Sequence, residues 1–253
     1  MTIETTSLFL SRLILNPRSR QVMSEMAQPY EMHRTLMRAF PKATDEAKAK
    51  ARDEFGVLFR ADAEERRKVV KVYVQSYVGP DWSFLDDLDD YLGTDPEMPA
   101  HEYKHIMPKC RQIENGQVLS FRLRANPSKR IAKSDDGMKG KRVGLTREHE
   151  QIDWLIRKGK VGNNVPGGFR LLMKGIRDAN GEEQPIPCVR ILPEGKQTGR
   201  KKDAARRHAT THLAVLFEGL LQVTDSPAFL ETLAKGIGPA KAFGFGLLSV
   251  APA

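Results

Sequence analysis

Strand-forming and helix-forming patterns follow one another in the order β-α-β-β-α-β over the first 124 residues, and this order restricts the fold more than any other feature. The clearest strand is residues 117–124, where Leu119, Phe121 and Leu123 alternate with side chains of the opposite face. The other strands are predicted at residues 8–15, 55–61 and 68–78, and the helices at 19–40, interrupted near Pro29, and 81–92. This order is typical of a ferredoxin-like unit.

A second, distorted βαββαβ unit is predicted after the Gly- and Lys-rich stretch 133–144, the best linker candidate. Its helices are predicted at 146–158 and 226–235, and its strands at 168–176, 187–192, 211–223 and 245–250. We therefore predict an α+β fold of two tandem ferredoxin-like (RRM-like) domains, residues 1–140 and 141–253. Residues 93–108, with three prolines, are predicted to form a loop, and residues 196–208 a very basic turn.

The chain carries 41 Lys and Arg against 32 Asp and Glu, a formal net charge of +9 over 253 residues. Such a field attracts polyanions, most often nucleic acid, and an anionic membrane is the competing interpretation. No apolar run approaches the roughly 20 residues of a membrane-spanning helix, and the N-terminus has the pattern of a strand rather than a signal peptide. Cys110 and Cys188 make no metal-binding spacing. With only two cysteines and no export signal, we expect reduced thiols in a cytoplasmic protein.

The segment 29–40 combines a helix pattern with reactive side chains. Pro29 suits the first turn of a helix, and an apolar stripe follows at Met32, Leu36 and Phe40. Another face carries a phenol, an imidazole and two guanidinium groups, from Tyr30, His33, Arg34 and Arg38. Since residues three or four apart are neighbours on a helix, these groups are predicted to share a surface that suits a phosphodiester.

An imidazole can act as general base or general acid near neutral pH. RNA carries its own nucleophile, the 2′-hydroxyl, so its cleavage needs proton transfer and charge stabilisation but no metal ion. His33 is therefore a candidate catalytic residue. The competing interpretation makes His33 a surface or core histidine, Tyr30 a core edge, and Arg34 and Arg38 a solvated basic face.

Basic side chains also follow the predicted strand 117–124. Arg122 and Arg124 project from one of its faces, and Lys129 and Arg130 come after the next turn. Basic side chains on a rigid strand can follow the phosphates of A-form RNA. A solvated sheet face is the competing interpretation.

Two connections carry further candidate RNA contacts. The basic turn holds the densest positive run, with Arg200, Lys201 and Lys202. The glycine-rich stretch 235–246 contains Gly236, Gly238 and Lys241; glycines let a backbone approach a phosphate, although the Walker spacing is absent. The competing interpretations are a disordered solubilising loop and a tight helix-to-strand connection.

Two patterns resemble metal sites without predicting one. His101 and His105 are four residues apart, but they lie in a proline-rich segment without the glutamate of an HExxH motif. The acidic run at 86–90 sits on one short predicted helix, and a solvated face explains it better. We therefore predict no metal and no other cofactor.

Four blocks of the chain together resemble one family. They are LSRLILNPRSR at 10–20, PYEMHRTLMRAFP at 29–41, FRLRANPSKR at 121–130, and VLFEGLL with the later GIGPAKAFGFGLLSVAP, which ends at Pro252. The last block is the most specific. On these blocks nearly the whole chain is similar to the CasE family of CRISPR-associated endoribonucleases, the RNA-processing subunits of Cascade-type effector complexes.

This resemblance implies tandem ferredoxin-like domains and metal-free cleavage of a CRISPR repeat RNA hairpin at its 3′ base. It also implies that the product stays bound while other Cascade subunits assemble along it. By position, His33 corresponds to the catalytic histidine of the family and Tyr30 to its partner tyrosine. Arg38 stands where a relative has a lysine beside the scissile phosphate.

Two functions remain under consideration. In the favoured one the protein is an endoribonuclease, with His33, Tyr30 and Arg38 as catalytic residues, that leaves a 2′,3′-cyclic phosphate; neither a membrane nor a small-molecule substrate is involved. In the alternative it is a non-catalytic scaffold that holds an RNA hairpin. Both predict RNA contacts at Arg34, Arg122, Arg124, Lys129, Arg130, Arg200, Lys201, Lys202, Gly236, Gly238 and Lys241.

Overall fold

The computed structural model describes residues 7–41, 54–131, 142–162, 166–177, 182–203 and 206–253. The chain forms two compact units, each built from three segments that alternate along the sequence. The first comprises Met1–Gln112, Gln197–Thr211 and Ala240–Leu247, and the second Ile113–Lys196, His212–Pro239 and Leu248–Ala253.

The first unit contains a four-stranded antiparallel sheet. Its strands are β1 (Phe9–Leu15), β2 (Leu58–Glu64), β3 (Val69–Ser76) and β4 (His101–His105), in the order β2-β3-β1-β4. The helices are α1 (Arg20–Ala27), α2 (Pro29–Leu36) and the short α3 (Met107–Cys110), with 3₁₀ turns at Met37–Ala39 and Ser83–Leu85. When the strands are numbered along the chain and read from the β4 edge, the order is 4-1-3-2, which is the order of a ferredoxin-like sheet.

One face of this sheet and the first two helices form the core of the first unit. The predicted strand periodicity holds, because Val70, Val72 and Val74 are all buried in one cluster. Met32 and Leu36 of α2 are buried in the same cluster. The apolar stripe of α2 therefore fixes which side of that helix its polar residues occupy.

Two predictions for the first unit were wrong. Residues 93–108 were predicted as a loop but contain β4 and the start of α3. Strand β4 pairs with β1 at the sheet edge, where nearby prolines are tolerated. Residues 81–92 were predicted as a helix, but they form one 3₁₀ turn and further turns. Aspartates favour turns over helix interiors, and Asp90 adopts a positive φ of 59°.

The second unit repeats the same topology. Its main elements are β5 (Val118–Ala125), α4 (Glu148–Gly159), β8 (Phe169–Leu171), β12 (Arg206–Val223), α5 (Ser226–Lys235) and β13 (Leu248–Pro252). β13 pairs with β5, β5 with β12, and β12 with β8, all antiparallel. The order is again 4-1-3-2, so the chain has two tandem ferredoxin-like sheets.

Additional strands occur in the second half of the chain. The long strand β11 (Val189–Asp203) also pairs with β12, and the segment Gln197–Thr211 belongs to the first unit. Two small hairpins are formed by β6 (Ser128–Arg130) with β7 (Arg142–Gly144) and by β9 (Met173–Arg177) with β10 (Glu183–Pro187).

The allocation of β5 corrects the predicted organisation. Residues 117–124 do form a strand, but it is the first strand of the second sheet, and β4 completes the first sheet. The first stretch of unit one accordingly ends at Gln112 rather than near residue 140. The linker proposed at 133–144 falls mostly outside the described residues, and its end forms β7.

The basic segment 196–208 is also different from its prediction. Where the structure describes it, this segment belongs to β11 and β12 rather than to a turn. Among the helices of the described ranges, none is both long and apolar enough to cross a membrane.

Candidate active site

Helix α2 presents the predicted catalytic side chains from a well-defined start. Pro29 occupies its first turn, where the missing N–H costs no hydrogen bond. His33 is buried, with 7% of its surface exposed, and Tyr30, one turn earlier, is half-buried. The predicted proximity of these two side chains is confirmed, since their ring centroids lie 6.1 Å apart.

These two rings belong to a longer row, which we call the aromatic column: Phe59, His33, Tyr30 and Phe243. The Phe59 ring, on β2, stacks on the His33 ring at a centroid distance of 6.2 Å and an interplanar angle of 14°. The Phe243 ring lies 5.6 Å from the Tyr30 ring at 32°. The imidazole therefore has an apolar ring and the phenol as neighbours, and the phenol has a second apolar ring beside it.

Phe243 reaches Tyr30 from the glycine-rich stretch. A 3₁₀ turn at Lys241–Phe243 is flanked by Ala240, with φ 65° and ψ 35°, and by Gly244, with φ 78° and ψ 26°. Both flanking residues are in the left-handed region, which suits Gly244 and is unusual for an alanine. These two reversals set the direction of the turn and of the Phe243 ring.

A buried polar network holds α2 in place behind its reactive face. The carboxylate of Glu25, on α1, accepts hydrogen bonds from Thr35 Oγ1 at 2.6 Å and from the Tyr91 hydroxyl at 2.6 Å. Gln21 Nε2 donates a third at 2.9 Å. Burial, followed by the charge of Glu25, raises the pKa of Tyr91, whereas the charge of Arg38 lowers it. Two helices and the segment around Tyr91 are thus joined at one carboxylate.

The two arginines predicted beside His33 occupy different surroundings. Arg34 is exposed on α2 and pairs with Glu31, with Nη1 and Oε2 2.8 Å apart. Arg38 comes after the end of α2, in a 3₁₀ turn, so the predicted helical row is interrupted. Its guanidinium carbon lies 4.4 Å from the centre of the Phe84 ring, a cation–π contact that leaves Arg38 exposed.

Three of the predicted RNA contacts in the second unit are engaged by carboxylates. Arg122 Nε lies 3.2 Å from Glu218 Oε1, and Arg124 Nε lies 2.5 Å from Glu194 Oε2. Lys129 Nζ lies 3.1 Å from Glu150 Oε1, and this contact holds the pKa of Glu150 below its ordinary range. A phosphate that reaches one of these cations would displace the carboxylate or share the cation with it. Arg130 is exposed on β6.

The remaining predicted contacts are distributed over three places. Arg200, Lys201 and Lys202 lie in β11, and their side chains fall outside the described part of the chain. Gly236 ends α5 with a φ of 71°, and at Gly238 an added Cβ would come within 3.0 Å of the Trp154 ring. Lys241 is half-buried in the 3₁₀ turn that also carries Phe243.

The histidines dismissed as zinc ligands lie at the two ends of strand β4. His101 Nε2 contacts Asp86 at 3.2 Å, and the His105 ring stacks on Phe9 with centroids 4.9 Å apart. Within the described ranges, no group of three or more His, Cys, Asp or Glu side chains could hold a metal ion.

Sequence reasoning missed Phe59, Phe243, Glu25 and Phe84. Local periodicity indicates that Phe59 and Phe243 are core residues, but it does not predict which side chains their rings contact. Glu25 sits on α1, and a carboxylate at that position gives no local signal that it is buried.

Comparison with known proteins identifies the group to which this site belongs. A family model described as CRISPR associated protein matches residues 8–252. The chain belongs to this family. All four sequence blocks of the earlier resemblance fall within the matched range. In the structure, the first block forms β1 with the start of α1, the second forms α2, and the third forms β5 with β6. The last block covers the stretch from β12 to β13 that includes the glycine-rich turn.

Individual CRISPR-associated relatives align along nearly their whole length. The chain is 39% identical over 247 residues to the CRISPR-associated endoribonuclease Cse3 of Thermus thermophilus, covering 97% of this chain and 100% of the relative. It is 29% identical over 233 residues to the Cascade subunit CasE of Escherichia coli, covering 88% and 92%.

Solved structures agree with this assignment. Thermus thermophilus Cse3 bound to an RNA representing a pre-cleavage complex matches with a TM-score of 0.68 at 37% identity, covering 97% of this chain and 100% of that one. Cas6e of Escherichia coli matches with a TM-score of 0.58 at 28% identity, covering 97% and 100%. The tandem ferredoxin-like prediction is confirmed by these matches and by the two sheets.

Proposed function

We propose that this protein is a metal-independent endoribonuclease that binds a CRISPR repeat RNA hairpin and cleaves it at its 3′ base. The observation that carries the proposal is the buried His33 held beside Tyr30 on α2. The similarity of the chain to Cse3, whose structure was solved with an RNA representing a pre-cleavage complex, supports RNA as the substrate.

In the proposed reaction the 2′-hydroxyl attacks the adjacent phosphorus. The P–O5′ bond breaks, which leaves a 2′,3′-cyclic phosphate and a 5′-hydroxyl. One proton leaves the nucleophile and one reaches the leaving oxygen. His33 transfers one of these protons, and Tyr30 orients the imidazole or assists the other transfer. Arg38, exposed on its Phe84 support, stabilises charge on the phosphorane.

The proposed division of labour is between elements of the fold. Helix α2 and the turn that follows it carry the catalytic residues, and the basic strands β5 and β11 hold the RNA stem. The product stays bound, and other Cascade subunits assemble with it, as the similarity to the CasE subunit suggests. Cytoplasm is the compartment that we propose, because both cysteines, Cys110 and Cys188, are free thiols.

The first test is cleavage of a synthetic repeat hairpin in excess EDTA, resolved on a denaturing gel. We expect the wild type to make a single cut at the 3′ base, and a 2′-deoxy substitution at that nucleotide to block it. His33→Ala should cut about 10²–10⁴-fold more slowly, because a positioned proton-transfer group supplies that much rate. Its affinity for the RNA should stay near that of the wild type.

His105→Ala is the matched control, because His105 is a histidine of the same unit that stacks on Phe9 at the sheet edge. It should cut at the wild-type rate. If His33→Ala cuts as fast as this control, His33 has no part in the chemistry. Tight binding by all three proteins without any cut would favour the non-catalytic scaffold.

A further inference from the structure

We propose that Phe243 is a positioning residue, which holds the Tyr30 ring against His33 and so sets the cleavage rate without touching RNA at the reacting atoms. This inference rests on the proposed function, since it assigns a support to the same His33 and Tyr30 pair. It goes further by giving the glycine-rich turn a task inside the first unit.

The geometry leaves Tyr30 dependent on Phe243. Tyr30 is half-buried, and its ring has His33 as one aromatic neighbour and Phe243 as another, with centroids 6.1 Å and 5.6 Å away. Helix α2 fixes only where the Tyr30 side chain begins, because the ring still turns about two side-chain bonds. The Phe243 ring, packed 5.6 Å from the Tyr30 ring, restricts both rotations.

Phe243 is suited to this task because it is itself well fixed. Its side chain is buried, with 8% exposed, and it belongs to a three-residue turn between two left-handed residues, Ala240 and Gly244. Phe59 supports the other end of the column from β2, stacked on His33. The His33 ring therefore packs against a strand residue, and the Tyr30 ring packs against a turn residue.

The same turn joins a predicted RNA contact to the site. Lys241 lies two residues before Phe243 in one 3₁₀ turn. A phosphate bound by Lys241 would therefore contact the same turn that positions the Phe243 ring. A predicted substrate contact and the proposed support of the catalytic pair therefore share one three-residue turn.

The test compares Phe243→Leu with Phe243→Tyr in single-turnover cleavage at saturating protein, with the Kd for the hairpin measured separately on 2′-deoxy RNA. Phe243→Leu should lower the cleavage rate at least about tenfold, because small misplacements of catalytic groups carry large rate penalties. Its Kd should stay within about twofold of the wild type. Phe243→Tyr, which keeps the ring, should recover most of the rate.

Phe40→Leu is the matched control for lost core packing. Phe40 is buried in the same unit, with 5% exposed, and its ring contacts Phe55 and Trp82. It should lower Tm by an amount similar to Phe243→Leu while cutting at the wild-type rate. Equal rate losses in the two variants would show that packing alone matters, and the proposal would be wrong.

A double variant shows whether Phe243 acts through Tyr30. In a Tyr30→Ala protein there is no ring to hold, so adding Phe243→Leu should cost no more than about twofold in rate. A further tenfold loss in that background would overturn the inference, as would wild-type cutting by Phe243→Leu alone. His33→Ala distinguishes failure of the proposed function from failure of the positioning role. If His33→Ala cleaves at the wild-type rate, the proposed function is wrong. If His33→Ala cleaves slowly but Phe243→Leu cleaves at the wild-type rate, only the positioning role is wrong.

Discussion

Glu25 is a carboxylate that the fold buries within reach of three donors. Thr35 and Tyr91 each donate a hydrogen bond of 2.6 Å to it. Hydrogen bonds to an ionised group are the stronger ones in proteins, and a buried carboxylate that loses one is costly. Since Thr35 follows His33 by two residues on α2, this network fixes the same helix that presents the proposed catalytic pair.

Tyr91→Phe should lower the free energy of unfolding by about 1.5–3 kcal/mol at neutral pH, because it removes a donor from a buried carboxylate. The difference should also depend on pH. Burial and Glu25 raise the pKa of Tyr91 in the folded protein, whereas an unfolded tyrosine ionises near pH 10. The contribution of Tyr91 is therefore complete below about pH 10 and declines above it.

Urea unfolding of the wild type and Tyr91→Phe from neutral to alkaline pH measures this directly. The two curves should lie apart by a constant amount up to about pH 10 and converge at higher pH. Tyr103→Phe, an exposed tyrosine on β4, serves as the control and should follow the wild type. A gap that widens with alkalinity would contradict the proposed role of the neutral phenol.

At the scale of elements, strand β5 combines a buried and a charged face. Its alternation places Arg122 and Arg124 on the more exposed face, where Glu218 and Glu194 meet them. The Arg122–Glu218 pair is the more exposed of the two, and exposed ion pairs contribute about 0–1 kcal/mol. A phosphate that reaches Arg122 can therefore displace Glu218 at little cost.

Glu218→Gln should accordingly strengthen hairpin binding, because Arg122 no longer has a competing anion. The slope of log K against log salt should become steeper, by at most about one, since one more phosphate is neutralised. Filter binding at several salt concentrations provides the measurement. Glu231→Gln removes the same charge from an ion pair with Lys235 on α5 and should leave the slope unchanged. Unaltered binding by Glu218→Gln would remove Arg122 from the RNA surface.

For the whole molecule, net charge is the main property that acts at a distance. The formal charge of +9 predicts RNA affinity that falls steeply with salt. Part of this charge belongs to β11, a strand of 15 residues. Its position in a long ribbon with β12, rather than in a loose turn, suits a contact with the grooves or backbone of an RNA stem.

Replacing Arg200, Lys201 and Lys202 together with alanine should weaken hairpin binding and flatten the salt slope. Cleavage at saturating protein should change little, because the proposed catalytic groups lie on α2 and its neighbours. The control with the same charge change is alanine at Lys104, Lys109 and Arg111, which are exposed in the first unit. If both triple variants bind alike, these three residues of β11 contribute only general charge.

Local sequence patterns predicted much of this architecture. The alternation in β5 and β3, the apolar stripe of α2 and the proline at its start all depend on neighbours in the chain, so β1, α1, α2, β3 and α5 occur where they were expected. The adjacency of Tyr30 and His33 has the same origin, because residues three apart on a helix are neighbours.

Long-range pairing decided the rest. β4 has a weak local pattern and becomes a strand because it pairs with β1 at the sheet edge, and β5 belongs to the second sheet because β12 and β13 pair with it. Phe59 and Phe243 enter the aromatic column from β2 and from near the C-terminus. Residue chemistry and spacing along the chain thus selected His33, Tyr30 and the basic residues of the segments 122–130 and 200–202 as candidates. The surroundings of that pair arise only when distant segments pack together, since burial and ring contacts depend on tertiary contacts that no local period records.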